Sequence, residues 1–562
     1  MISTFRSGAR RRTVRRAISG LLFAGVMWAQ DVQQPAPATP ADPEVGIPVN
    51  DPVVIAKCGS CHVRDERGNM QRISWERSTP EGWQEALRRM ILADGVALTP
   101  VEARSIVKYL STAHGLAPEE AKAVMVEAER RVHEDNDLPS ETLRAACTKC
   151  HAFARTLSWR RSIADWKQLA EQHATQHKVA PNQEVMAFLA KSAALHTPEW
   201  AAWGARAKTS SLAGRWLVTA SVPGHGKYFG EMQLDATGQE DDFNTTVHLT
   251  SVNDGSNVVR SGRSVVYGGY AWRGRSKGTQ PPGSAPDDLS NEAREALWIA
   301  PDQSTAEGRW FWGEYQEFGF DVKLRRAPPD STLLLVDRPS LKTGSQTNRI
   351  RLIGNRLPAQ VTPADIHLGP GVTVRRVISN TPNEVVVEAD VAADAAPGKH
   401  DAAVGRAVAP AAIAIYDRVD YIKVSPDSSL AAFGDRTHGR GYQPFEAIGY
   451  QRGPDGQPHT ADDVELGPVD VTWSLEVFYA AEGSSSDHVG KISPAGLFTP
   501  SAAGSSSNFD VWAVATARGE KDKNGKPLVG KSYLVVTVPT YTFNGRKYVR
   551  DLDRWVDDGP AR

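Results

Sequence analysis

Four cysteines occur in this chain of 562 residues, and all four lie in two pentapeptides, Cys58-Gly-Ser-Cys61-His62 and Cys147-Thr-Lys-Cys150-His151. C-x-x-C-H is the spacing at which c-type haem is attached. Each thiol adds to a porphyrin vinyl group to form a thioether. The histidine that follows is held beneath the ring, where its imidazole can ligate iron. A structural zinc site would need four convergent ligands, and a thioredoxin-like dithiol would need a βαβ setting. Neither accounts for a histidine directly after both pairs. The reading is two covalently bound c-type haems, with Cys58, Cys61, Cys147 and Cys150 as thioether residues and His62 and His151 as axial ligands.

The surrounding sequence repeats itself. "ISWERSTPEGWQEALRRM" after the first pentapeptide corresponds to "LSWRRSIADWKQLAEQH" after the second, each with Ser-Trp, an Arg-Ser pair and a tryptophan-bearing helix. Thr79 and Pro80 start one helix, Asp94-Gly95 ends it, and Thr99, Pro100 and Glu102 open the next. Superposing the repeats on Trp83 and Trp166 brings Met90 onto His173. Thioether and imidazole are both axial ligands of haem iron, so these two are the expected sixth ligands. Met70 is the alternative in the first repeat and His177 in the second, and a core-filling role is the alternative for Met90 itself. Met186 reads as core. His114 and His196 take matching places at the ends of the last helices and read as surface or cap residues. Methionine raises the potential relative to bis-histidine ligation, so electrons are expected to run from the His173 haem to the Met90 haem.

The N-terminus combines a cationic stretch, "RSGARRRTVRR", with the short apolar "AISGLLFAGVMWA". That order reads as a secretory signal peptide over residues 1–29, with a membrane anchor as the alternative. "RRTVRR" hints at twin-arginine export. A Pro/Ala-rich linker follows over 30–50. Haem of the c type is attached outside the cytoplasmic membrane, so a periplasmic protein is expected. The net charge of -1 gives no basic excess for nucleic acid and no acidic excess for storing cations.

Near residue 210 helical periodicity gives way to alternation between glycine turns. The expected architecture is multidomain, α then β. An all-α dihaem cytochrome c domain (51–208, repeats about 51–116 and 139–200) precedes three antiparallel β domains: a barrel at 209–328, an Ig-like sandwich at 329–416 and a second Ig-like domain at 417–545. A tail, 546–562, reads as a short helix. Trp310, Phe311 and Trp312 offer either a ligand shelf or sheet packing, and packing is preferred. "DGQPHTADDVE" lacks EF-hand spacing and reads as a solvated acidic loop. No nucleophile elbow, zincin motif, P-loop or dinucleotide fingerprint is found.

Two C-x-x-C-H motifs, a tryptophan-anchored repeat and three following β domains together resemble the α subunit of quinohaemoprotein amine dehydrogenase over essentially the whole chain. The resemblance implies periplasmic oxidation of primary amines to aldehyde and ammonia. It puts the catalytic cysteine tryptophylquinone in a separate small subunit and adds a β-propeller subunit, making a heterotrimer. This chain would contribute no residue that bonds to substrate. It would pass electrons through its two haems to a blue-copper protein or soluble cytochrome. Two other readings compete: a free-standing dihaem carrier, and a surface-polymer-binding protein with an accessory cytochrome. A dihaem peroxidase would need an open iron position, whereas both sixth ligands are supplied here.

Overall fold

The structure, a computed structural model, describes residues 45–538 except 123, 125–137, 139, 149–152, 180–181, 207–210, 437 and 480–484. The expected signal peptide, most of the linker, Cys150, His151 and the tail lie outside the described residues.

Nine helices among the described residues fall between residues 52 and 204: α1 (Pro52–Cys58), α2 (Pro80–Asp94), α3 (Pro100–Ala113), α4 (Pro118–Lys122), α5 (Glu141–Cys147), α6 (Phe153–Leu157), α7 (Ile163–His177), α8 (Gln183–Ser192) and α9 (Pro198–Gly204). Local chemistry sets their ends. Thr79 caps α2 with Pro80 in its first turn, and Gly95 ends it in the left-handed region. Thr99 and Glu102 form a reciprocal capping box on α3. Ser162 caps α7, and Lys178 ends it at a positive φ.

The expected all-α first domain is not what forms. β1 (Glu76–Ser78) pairs antiparallel with β2 (Trp159–Arg161) and ties the two repeats together. These strands are short and charged, so no apolar alternation announces them. Among the described residues strand outweighs helix. The later sheets are also not purely antiparallel: Ser340–Lys342 runs parallel to part of Ala407–Tyr416, and Ser428–Ala432 parallel to part of Pro527–Thr537. Each of these short strands joins a partner far along the chain, a separation that permits a parallel crossover.

β3 (Gly214–Val222), β4 (Gly226–Ala236), β5 (Asp242–Ser251), β6 (Asn257–Tyr267), β7 (Ala271–Gly278), β8 (Ala293–Ile299), β9 (Thr305–Trp312) and β10 (Phe318–Arg326) make a closed barrel, with β10 returning to β3. Every neighbour is antiparallel, and closure leaves no free edge. Trp216, Trp272, Trp310 and Phe320 are among its largest fully buried side chains. Its core is continuous with that of the first repeat, where Trp83, Leu87 and Ile106 belong to the same cluster. Polar contacts fix this junction. Arg273 pairs with Glu81, Tyr270 Oη donates to Leu116 O at 3.0 Å, Trp298 Nε1 donates to Pro118 O at 2.8 Å, and Lys122 meets Glu307 at 2.7 Å.

Residues 332–416 form two four-stranded sheets enclosing Ile350, Leu352, Val385, Val387, Ile413 and Ile415. Residues 421–537 form three further sheets around Phe433, Phe445, Phe498 and Leu534. Among the described residues no helix is long and apolar enough to cross a membrane.

Candidate haem-binding site

Asp51 caps α1 by accepting from Val54 N, and the helix ends at Cys58. Cys61 N and His62 N both donate to Cys58 O, at 3.2 and 2.8 Å. That turn keeps both thiols and the imidazole within one bend of chain. Cys58 and Cys61 are free thiols. Burial pushes the Cys58 thiol above its usual range, and Asp51 and Cys61 add to the effect. The loop beyond folds back, with Gln71 N donating to Val63 O at 3.1 Å and Arg64 bridging Met70.

His62 Nδ1 lies 2.8 Å from Gln71 O. A carbonyl can only accept, so Nδ1 carries a proton, and in the neutral ring Nε2 is the nitrogen with the lone pair. Metal-bound histidines are oriented in this way by a carbonyl on the far ring nitrogen. Two free thiols and an imidazole so oriented fit a covalently attached haem. In the second repeat Ser140 caps α5, which ends at Cys147. Burial pushes that thiol up as well. Its partners Cys150 and His151 lie outside the described residues.

Met90 and His173 occupy equivalent places. Each carbonyl accepts the closing bond of its helix, Met90 O from Gly95 N and His173 O from Lys178 N, in both cases from the left-handed capping residue. Both side chains are half-buried. His173 Nδ1 lies 2.9 Å from Leu169 O, so the neutral ring again has its lone pair on Nε2. His177 is exposed one turn on, its ring centroid 5.5 Å from that of His173. Met70 is fully buried, with its amide donating to Ser74 Oγ at 2.8 Å. It precedes Gln71, in the loop on the Nδ1 side of His62. Met186 packs against the small core around Trp166 and Leu189.

The cap role expected at the helix ends holds for His114, but the expected match with His196 does not. His114 is the C-cap of α3, yet it is fully buried between Trp83 and Tyr109, and neither ring nitrogen has a partner at hydrogen-bonding geometry. Burial lowers its pKa to about 4, partly opposed by the carbonyls of Glu76, Ile73 and Pro48 that face the ring. Its counterpart is Ala193 rather than His196. Trp83 Nε1 donates to His114 O and Trp166 Nε1 to Ala193 O, both at 2.9 Å. His196 instead contacts Val45 O at 2.6 Å.

The same equivalence corrects the alignment of the repeats. Ser78 N donates to His114 O and Arg161 N to Ala193 O, so β1 matches β2 with Arg77 on Arg160. The Ser-Trp and Arg-Ser likenesses are one residue out of step with the helices. In β1–β2 pairing Arg77 lies directly opposite Arg160, and the register is unchanged when the repeats are exchanged. Both arginines are buried around Glu120 of α4, a set of functional candidates that sequence reasoning missed.

Trp310, Phe311 and Trp312 are 0, 5 and 7% exposed, with Trp310 and Phe320 edge to face at 5.8 Å. They pack and leave no shelf. In the acidic loop, Asp463 accepts from Gly453 N, Thr460 N and Tyr421 Oη. No cluster of three or more candidate metal-ligating residues occurs among the described residues.

Family models for the quinohemoprotein amine dehydrogenase alpha subunit match the chain in succession. The haem-binding domain matches residues 49–191, domain II 209–327, domain III 330–417 and domain IV 422–547. No curated protein matches in sequence. Among solved structures, a redesigned β-barrel is 14% identical over 22% of this chain and 96% of its own, with a TM-score of 0.18. A SusE-like surface-located polysaccharide-binding protein from the heparin utilisation locus of Bacteroides thetaiotaomicron is 9% identical over 59% of this chain and 69% of its own, with a TM-score of 0.12. Neither likeness is close enough to carry an argument. The four models run in order through a haem-binding domain and three β regions, and the chain belongs to the family of quinohemoprotein amine dehydrogenase alpha subunits.

Proposed function

We propose that this chain is the electron-transfer subunit of a periplasmic amine dehydrogenase that oxidises primary amines to aldehyde and ammonia at a cysteine tryptophylquinone in a partner subunit. When bound, its two c-type haems supply the one-electron chemistry that links that reaction to an external blue-copper protein or cytochrome. Cys58 and Cys61 hold one by thioether links, and Cys147 and Cys150 hold the other. His62 and His151, with Met90 and His173, would ligate the two irons.

The observation that carries this reading is the pairing of oriented imidazoles with equivalent helix positions. Gln71 O holds the His62 ring with Nε2 available, and Leu169 O does the same for His173. Met70 precedes Gln71 in the loop whose carbonyl holds His62, and its side chain is fully buried in the core. Met90, at the place His173 takes in the other repeat, comes from a separate helix. The remaining subunits are a small quinone-bearing chain and a β-propeller.

A pyridine haemochrome assay on the exported chain should return two covalently retained porphyrins, and the double variant Cys147→Ala with Cys150→Ala should leave one. One porphyrin or none in the wild type refutes the reading. Purification of the native complex should bring down a quinone-staining small chain; a monomer reduced by a soluble donor would instead support a free-standing carrier.

A further inference from the structure

The repeats meet at a buried charge cluster to which the electron-carrying reading assigns no task. Arg77 and Arg160 are 0% and 6% exposed and lie opposite each other at the centre of the β1–β2 pairing, the point about which the repeats are related. Glu120 accepts from Arg77 at 2.7 and 2.9 Å and lies 3.4 Å from Arg160 Nε. Ala117 N at 2.7 Å and Thr197 Oγ1 at 2.8 Å complete its partners. Arg77 also donates to Leu195 O and Gly115 O, and its guanidinium lies 4.8 Å from the Trp200 ring centroid.

Two guanidiniums against one carboxylate leave one net positive charge in a buried site. The neighbouring Arg273–Glu81 pair is neutral as a unit, and Tyr270 is a buried phenol, so neither cancels it. With four hydrogen bonds made inside the cluster, Arg77 is committed to its protein partners and acts through its charge. β1 and β2 lead directly into α2 and α7, the helices bearing Met90 and His173. A buried charge is screened far less than a surface one. Reduction adds an electron to a haem site, and a fixed positive charge favours that state.

We infer that the Arg77–Glu120–Arg160 cluster is a shared electrostatic element that raises the reduction potentials of both haem sites together. Its position at the pairing of β1 with β2, the strands that lead into α2 and α7, is what makes the effect common to both. The inference rests on the two-haem reading above.

The test is a spectroelectrochemical titration of the purified complex, after a haemochrome assay has counted the porphyrins. Glu120→Gln makes the cluster more positive and should shift both midpoint potentials upward. Arg160→Gln neutralises it and should shift both downward, while Arg160→Lys keeps the charge and should restore them. Arg376→Gln, on an exposed strand remote in sequence, sets the baseline. If Glu120→Gln does not accumulate, the two Arg160 variants decide alone. Fewer than two porphyrins in the wild type defeats the underlying reading. Two porphyrins with immobile midpoints, with only one midpoint moving, or with both glutamine variants moving them in the same direction defeats the inference.

Discussion

Glu120→Gln also tests how the repeats are held together. Burial alone would raise the Glu120 carboxyl, but hydrogen bonds and charge from Arg77, with Arg160 and Ala117 N adding, lower it from the usual 4.5 to about 2. Because the folded value lies below the unfolded one, the carboxylate stabilises the fold above pH 4.5, and that stability drains away as pH falls toward 2. The displacement corresponds to about 3 kcal/mol. It applies with little discount for screening because the Glu120 side chain is only 6% exposed. Replacing the carboxylate with an amide also leaves two buried guanidiniums without a counter-charge, which acts in the same direction. The assay is denaturant unfolding of the haem-loaded chain followed through the Soret band, which reports on the repeats rather than the barrel. Wild type should exceed the variant by about 3 kcal/mol at pH 7. The gap should narrow steadily below pH 4.5. Acid effects on the haem ligands are common to both proteins and cancel in the difference. A variant within about 0.5 kcal/mol of wild type at pH 7, or a gap that stays constant down to pH 2.5, would refute the reasoning.

Three further outcomes are expected. Met90→Ala should lower the higher of the two haem potentials and leave the other in place; redox titration checks this, and an unmoved upper potential removes Met90 from the ligand set. Gly230→Ala would put a methyl 1.8 Å from His248 O across the β4–β5 ladder, where backbone must move; thermal unfolding should show a loss of about 1–3 kcal/mol or more, and a neutral result would mean that the barrel wall yields there. Burial, with Glu314 adding to it, holds the Glu317 carboxyl up at about 7 where it accepts from Tyr315 N and Tyr442 N. A raised carboxyl makes the fold more stable as pH falls from 8 toward 5, so wild type should gain on Glu317→Gln across that window, as measured by paired melting curves.

Much of the first third was legible because its signals are local. A threonine before a proline, a glycine after Asp94 and a glutamate three residues after Thr99 each act within one helical turn, and each sits where its chemistry requires. The Met90–His173 equivalence was readable from the tryptophan-anchored repeat, whose helices start and end alike. The strands joining the repeats were not. "ERS" and "WRR" look like solvated charge, and only a partner about 80 residues away makes them strands. Glu120 sits in "PEEAK", where an acidic residue at a helix start reads as exposed; its burial is set by Arg77, 43 residues earlier. His114 misled for the same reason, since a polar residue at a helix end gives no local sign of being enclosed by Trp83 and Tyr109. The one-residue slip between the Ser-Trp likeness and the true correspondence shows that side-chain resemblance alone does not fix a register.

The antiparallel strand pair has a consequence for how such a doubled unit can arise. Copying one ancestral segment and folding the two products against each other would set guanidinium against guanidinium, an arrangement that opposes its own assembly. The carboxylate that reconciles them comes from α4, in the stretch between the copies, so the bridge that fused them also supplied the counter-ion their union required.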